Sequence, residues 1–367
     1  MPRKSSDNFA FRAPAIAGRY QSHIRQIAFA AAILLSASAR AMAQPKALFY
    51  MTDNPNSIKS FSEHVDQIDT IVPAWYSVDG NGLLWGGPNP YVMKTATDHH
   101  VPVMPIVALM VQADLRKLFI TPAAHAAFSA ALISECRTNG YSGFQIDFEN
   151  VAWTDRDLLS SLVSDLAAAL HREKLQLTIA TVPNAPGSAG KTNYSHWLYA
   201  NWRGGYDLQA LSQSVDLICL MTYDQNTRWT APGPVAGYPW TVQNLEYALQ
   251  FVPKEKLSLG IPLYGYHWFA GDPGKEEKPN PTAEYVGQPE IEQFLAAYHP
   301  HVEWDSVDRT AWFYFYRDDT REWVFYTEKR GFQERLKLVQ QRGLQGFCSW
   351  VLGTEDPAVW SLLPFHK

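Results

Sequence analysis

The stretch GFQIDFENV, Gly143 to Val151, alternates Phe144, Ile146 and Phe148 with Gln145, Asp147 and Glu149. Successive side chains of a β-strand point to opposite faces, so the three polar groups share one face and the three apolar ones the other. Carboxylates two residues apart on one face lie about 7 Å apart along the strand. Partly desolvated like charges that close resist ionising together, so one of them is expected to hold a proton at neutral pH. A strand of this kind can supply a general acid.

The stretch is one of a series. Short β-rich apolar runs recur at 47–51, 70–78, 101–109, 143–151, 175–183, 215–224, 256–265 and 344–353. Several are almost continuously apolar, as parallel strands covered on both faces tend to be. Amphipathic segments lie between them. Thr154 and Asp157 read as a capping box, followed by Leu158, Leu162, Leu166 and Leu170 on one helix face. Phe332 to Gln341 reads as another helix. The expected fold is α/β: a (β/α)8 TIM barrel, for which about 250 residues is typical. A doubly wound open sheet is the rival, but no G-x-G-x-x-G turn follows an early strand.

The connection between the seventh and eighth runs is too long for one helix. It holds a short helix pattern, Ile291 to Tyr298, and then TAWFYFYRDDTREWVFY, two aromatic strands around a polar turn. A small α+β insertion at about 266–330 is expected, its aromatics filling the core of the insert, with Gly271–Pro281 as an exposed loop.

The bulk numbers exclude some functions. The chain has 367 residues, 18% of them charged, and a net charge of −5. That leaves no basic footprint for nucleic acid. Arg19 and Arg25 precede a thirteen-residue apolar run, Ile27 to Ala39, followed by Ala41-Met42-Ala43. This reads as a signal peptide over 1–43, cleaved before Gln44, and thus as a secreted or periplasmic protein of residues 44–367. A span needs about 20 apolar residues, so no stable membrane insertion is expected. Cys136, Cys219 and Cys348 each sit in an apolar segment and read as buried thiols. The eleven histidines are scattered without metal-ligand spacing.

The active end of such a barrel is at the C-terminal ends of its strands, where Glu149 falls, with Asp147 and Gln145 below it. A structural role would pair this row with inward Arg or Lys. The eight runs contain no Arg, and their only Lys, Lys256, opens its strand at the far end.

From Ser142, S-G-F-Q-I-D-F-E resembles the D-G-x-D-x-D-x-E of the glycoside hydrolase family 18 chitinases. The resemblance extends to Met221-Thr222-Tyr223-Asp224 on the sixth strand, GIPLYG on the seventh and Trp350 closing the eighth. WYSVDG (75–80), GYHW (265–268) and GFCSWVLGTEDPAVW (346–360) look like the branch of spore-cortex and cell-wall N-acetylglucosaminidases. The resemblance implies substrate-assisted hydrolysis without a carboxylate nucleophile. Glu149 would be the acid/base, while Asp147 would orient the 2-acetamido N–H and Tyr223 would bond its oxygen. Trp350 would floor the sugar, Met221 and Asp224 would complete the wall, and no metal or cofactor is needed. Trp75 and Tyr76 are further candidates for stacking a sugar, against packing under a loop.

Ser142 and Gln145 depart from the family pattern, each standing where it has aspartate. Gln145 keeps the ability to hydrogen-bond Asp147 but carries no charge. The leading expectation is a monomeric, exported hydrolase of β-1,4-linked N-acetylglucosamine polymers, chitin or peptidoglycan fragments. The alternatives are a chitinase-like lectin, which typically lacks the Glu, and a purely structural barrel.

Overall fold

The computed structural model describes residues 44–270 and 282–366. The leader segment and the Gly271–Pro281 patch lie outside the described residues. The strands in chain order are β1 (Lys46–Met51), β2 (Thr70–Pro73), β3 (Tyr76–Val78), β4 (Leu84–Gly86), β5 (Ile106–Leu109), β6 (Gly143–Phe148), β7 (Gln176–Thr181), β8 (Leu217–Leu220) and β9 (Leu257–Pro262). Then come β10 (Gly265–Trp268), β11 (Ala283–Val286), β12 (Glu303–Asp305), β13 (Thr310–Arg317), β14 (Thr320–Tyr326) and β15 (Gly346–Trp350).

The first sheet runs β2-β1-β15-β9-β8-β7-β6-β5-β3-β4, parallel throughout except for the β3–β4 hairpin. Ile71 N–H donates to Pro102 O, and Met104 N–H donates to Ile71 O, each at 3.0 Å, joining β2 to the segment before β5. With these bonds the sheet closes on itself, so the fold is a (β/α)8 barrel. The second run yields two strands broken at Ala74-Trp75. The third is trimmed to Ile106–Leu109, because Pro102 and Pro105 have no N–H to give to a ladder.

Alternation along each strand divides two cores. Phe144, Ile146 and Phe148 face outward into a layer shared with the helices, among them Leu162, Leu166 and Leu170 of the Arg156–Arg172 helix. Leu48, Val72, Met104, Ile106, Leu217 and Cys219 fill the barrel interior. All three cysteines are free and buried. Gly143 starts β6 at φ 155°, and a Cβ there would sit 2.0 Å from Gln176 O, so only glycine lets the two strands approach.

The expected capping box does not form. A 3₁₀ turn, Trp153–Asp155, moves the helix start to Arg156, and the buried Asp155 carboxylate pairs with Arg116 instead of capping backbone N–H groups.

Between β9 and the Lys329–Arg342 helix lies a second, antiparallel sheet of order β11-β10-β14-β13-β12, with the Gln288–Tyr298 helix against it. Asp318 and Asp319 join β13 to β14, both at positive φ, as a two-residue hairpin turn matching strand twist requires. Phe313, Phe315 and Val324 fill the core of this unit, but Tyr314 and Tyr316 alternate onto the exposed face. The hairpin aromatics therefore divide between the two faces, because strand alternation sends every second one outward. Among the described residues no single helix is long and apolar enough to cross a membrane.

Candidate active site

β6 delivers Asp147 and Glu149 to the C-terminal mouth of the barrel. Its end is pinned on both sides: Glu149 N–H donates to Leu109 O at 3.2 Å, and the Tyr206 hydroxyl donates to Phe148 O at 2.7 Å. Asn150 turns the chain away in the left-handed region, at φ 58°, with its amide donating to Met110 O at 3.2 Å.

Glu149 opens into a cleft of about 630 Å³ that Met221, Tyr223 and Asp224 also line. Burial pushes the Glu149 carboxyl up to about 8, and the charges of Asp147 and Asp224 push in the same direction. Asp147 lies beneath it, nearly sealed, and burial raises its carboxyl to about 6. Its Oδ1 accepts no hydrogen bond from the described residues, and no cation offsets either acid. The upper carboxyl is therefore the one biased more strongly toward keeping its proton.

Asp224, itself raised by burial, is held by the Tyr264 hydroxyl at 2.5 Å and the Tyr266 hydroxyl at 3.4 Å. These tyrosines come from the GIPLYG and GYHW segments, which explains why a strand-nine motif matters at the end of β8. Gly260 of the same motif lets the backbones meet: a Cβ there would lie 2.5 Å from Leu220 O. Thr222 Oγ1 seals the join by donating to Gly260 O at 2.7 Å. The Tyr223 hydroxyl, raised chiefly by burial, makes no hydrogen bond among the described residues.

The other sequence candidates separate. Gln145 is fully buried below Asp147, out of reach of a ligand, and its Nε2 donates to Thr178 Oγ1 at 3.1 Å and Cys219 Sγ at 3.4 Å. It is thus neither a substrate contact nor a partner of Asp147, because Thr178 sits in register beside it on β7. Ser142 turns to the backbone, its hydroxyl donating to Val103 O at 3.1 Å. Trp350 packs on Tyr50, ring centroids 5.4 Å apart, and borders an adjoining hollow that shares Tyr285 with the main cleft. Trp75 and Tyr76 do not line the cleft. The Trp75 indole donates to Asp53 at 3.1 Å, and the Tyr76 hydroxyl donates to Glu135 at 2.8 Å within the helix layer. Since β3 resumes after a break in strand two, its alternation sends Tyr76 outward.

What the sequence reading missed is the cleft's aromatic wall: Tyr194, Trp197 and Trp202 from the helical stretch between β7 and β8, Trp229 and Trp240 from the segment between β8 and β9, and Tyr266 from β10. The dense run YSHWLYANW, Tyr194 to Trp202, was the available signal. Among the described residues no His, Cys, Asp and Glu group gathers as a metal-ligand set.

The chain is 22% identical to the uncharacterized glycosylase YvbX of Bacillus subtilis, over 92% of this chain and 96% of that protein. It is 25% identical to the cortical fragment-lytic enzyme of the same organism over 63% of this chain, but spans only about half of that protein's length (51%). Among solved structures it is similar to a chitinase from Chromobacterium violaceum, with a TM-score of 0.75 and 24% identity over 86% of this chain and 97% of that one. The spore cortex-lytic enzyme SleL of Bacillus megaterium gives a TM-score of 0.76 at 19% identity, over 87% and 73%. At such identities these structures speak to the fold. The sequence pattern of glycosyl hydrolases family 18 matches residues 47–355, from the first barrel strand to beyond the last. With the acid pair at the end of β6 inside that match, the chain belongs to glycosyl hydrolases family 18.

Proposed function

We propose that the chain hydrolyses β-1,4-linked N-acetylglucosamine glycans with retention, the substrate's own 2-acetamido group acting as nucleophile. The observation that carries this reading is the placement of Glu149 on the cleft with Asp147 buried beneath it on the same strand face and Tyr223 on the same lining. Glu149 gives its proton to the glycosidic oxygen as the acetamido oxygen attacks the anomeric carbon, then takes a proton from the water that opens the oxazolinium ion. The Asp147 carboxylate accepts the acetamido N–H and balances the positive charge. The free Tyr223 hydroxyl donates to the acetamido oxygen and holds it in line. Retention of Glu149 favours hydrolysis over a purely lectin-like role. The apolar leader and Ala41-Met42-Ala43 support export with Gln44 as the new N-terminus, and the chain is proposed to act as a monomer.

Incubation with chitooligosaccharides and with purified peptidoglycan, with products identified by mass, tests the activity. Proton NMR of the first-formed anomer tests retention. Equal cleavage of a glucose-only polymer would rule out acetamido participation, and inversion at the anomeric carbon would do the same. N-terminal sequencing of exported protein checks the cleavage point.

A further inference from the structure

Among the described residues three arginines are at least partly withdrawn from solvent: Arg335 is buried, and Arg203 and Arg309 are half-buried. Arg309 pairs with Glu334 at 2.6 Å. Arg335 donates to the backbone carbonyls of Arg309, Gly331, Ala236 and Asp308. Arg203 has neither kind of partner among the described residues, and it lines the same cleft as Glu149. Burial lowers its pKa from the ordinary guanidinium value, with the Tyr194 ring nearby acting the other way. A partly desolvated guanidinium is costly unless an anion meets it, and its planar donor fork suits a carboxylate.

The segment that carries Arg203 is held in a fixed place relative to the acid. Tyr199–Arg203 is a π-helical turn, a form that occurs often at functional sites. The Gln112 amide donates both to Asn150 at 3.2 Å and to Asn201 at 3.0 Å, so it ties this turn to the residue next to Glu149. Behind Arg203, Gly204 and Gly205 press on Trp153 and Val151, where a Cβ would come within 2.8 Å and 2.7 Å of side-chain atoms. A second guanidinium, Arg228, lies over the Trp229 ring at 4.7 Å on the lining of the cleft, with no ion pair among the described residues. A neutral homopolymer offers neither of them a counter-charge.

We propose that the substrate of this cleft is an acidic aminosugar glycan of the peptidoglycan kind, and that Arg203 binds a carboxylate carried on a sugar neighbouring the cleaved N-acetylglucosamine. The proposal rests on the glycosidase reading above and names its substrate class. It separates this chain from a hydrolase of neutral chitin.

The test is binding, measured by calorimetry on the full mature chain bearing Glu149→Gln so that nothing is turned over. The probes are a peptidoglycan tetrasaccharide with its lactyl carboxylates intact and the same tetrasaccharide with them reduced to alcohols. Reduction should weaken binding about 10- to 100-fold, the size expected for a charge-assisted bidentate contact. With Arg203→Gln added, the two probes should bind alike, and Arg203→Lys should restore part of the difference. Equal binding of both probes by the Glu149→Gln chain overturns the proposal without any need for the second substitution. So does full discrimination retained in Arg203→Gln, or binding of neither probe. A wild-type chain that cleaves no N-acetylglucosamine glycan, yet still prefers the carboxylate probe, would overturn the glycosidase reading alone.

Discussion

Gln145 stands one step below Asp147 on the inward face of β6, and its amide turns sideways to Thr178 Oγ1 at 3.1 Å instead of upward to the carboxylate. Asp147 therefore receives no donor from the position where the family pattern has an acid, and burial acts on it unopposed. The two reacting carboxyls above form a pair set by desolvation and by each other.

A charge placed at position 145 should be felt by both of them. Gln145→Asp adds a like charge beneath Asp147, which disfavours ionisation of the row and raises the Glu149 pKa. The alkaline limb of kcat/KM against pH should move to higher pH on a soluble N-acetylglucosamine oligomer, with activity retained. Loss of the Thr178 bond should also lower stability by about 1–3 kcal/mol, read from denaturant unfolding. Superimposable pH profiles would show that this position does not couple to the acid.

Glu149→Gln removes the one proton donor at the end of β6. Turnover should fall by about 10²–10⁴-fold or more, while glycan affinity stays near that of the wild type. Rates like those of the wild type would remove Glu149 from the mechanism.

The wild-type profile should be bell-shaped, with apparent limbs near 6 and 8 that belong to the coupled pair. Asp147 must be ionised and Glu149 protonated. Asp224→Asn removes one of the charges that raise Glu149, so the alkaline limb should move toward lower pH. The movement should be smaller than the whole displacement from the ordinary glutamate value, because burial is the larger cause.

Stability carries the opposite sign from catalysis. Glu149 is raised from 4.5 to about 8 in the folded chain, so the native state holds this proton where the unfolded chain has released it. The folded state is therefore penalised progressively as pH rises from about 4.5 to about 8, and fully above that. Glu149→Gln escapes the penalty, so its gain in Tm over wild type should be larger at pH 9 than at pH 5. An equal gain at both would mean that burial of the ionised carboxylate costs nothing.

What the sequence by itself determined is the part governed by local periodicity. The two-residue alternation of β6 places Gln145, Asp147 and Glu149 on one face whatever packs around them, and the recurrence of apolar runs with intervening helices leaves a barrel as the economical closed sheet. The leucine spacing of the Arg156–Arg172 helix follows in the same way, since helical repeat decides which side is buried. Tertiary structure decided what depends on neighbours far away in the chain. Tyr76 faces Glu135 because strand two is interrupted, and Gln145 turns to Thr178 because β7 presents a hydroxyl in register. The Glu149 wall is assembled from separate helical and turn segments carrying Trp197, Arg203, Arg228 and Trp240, whose spacing in sequence encodes no proximity. The order of the two acids was likewise hidden, because a pKa reports how much solvent the whole fold removes from each carboxyl, and no local pattern records that.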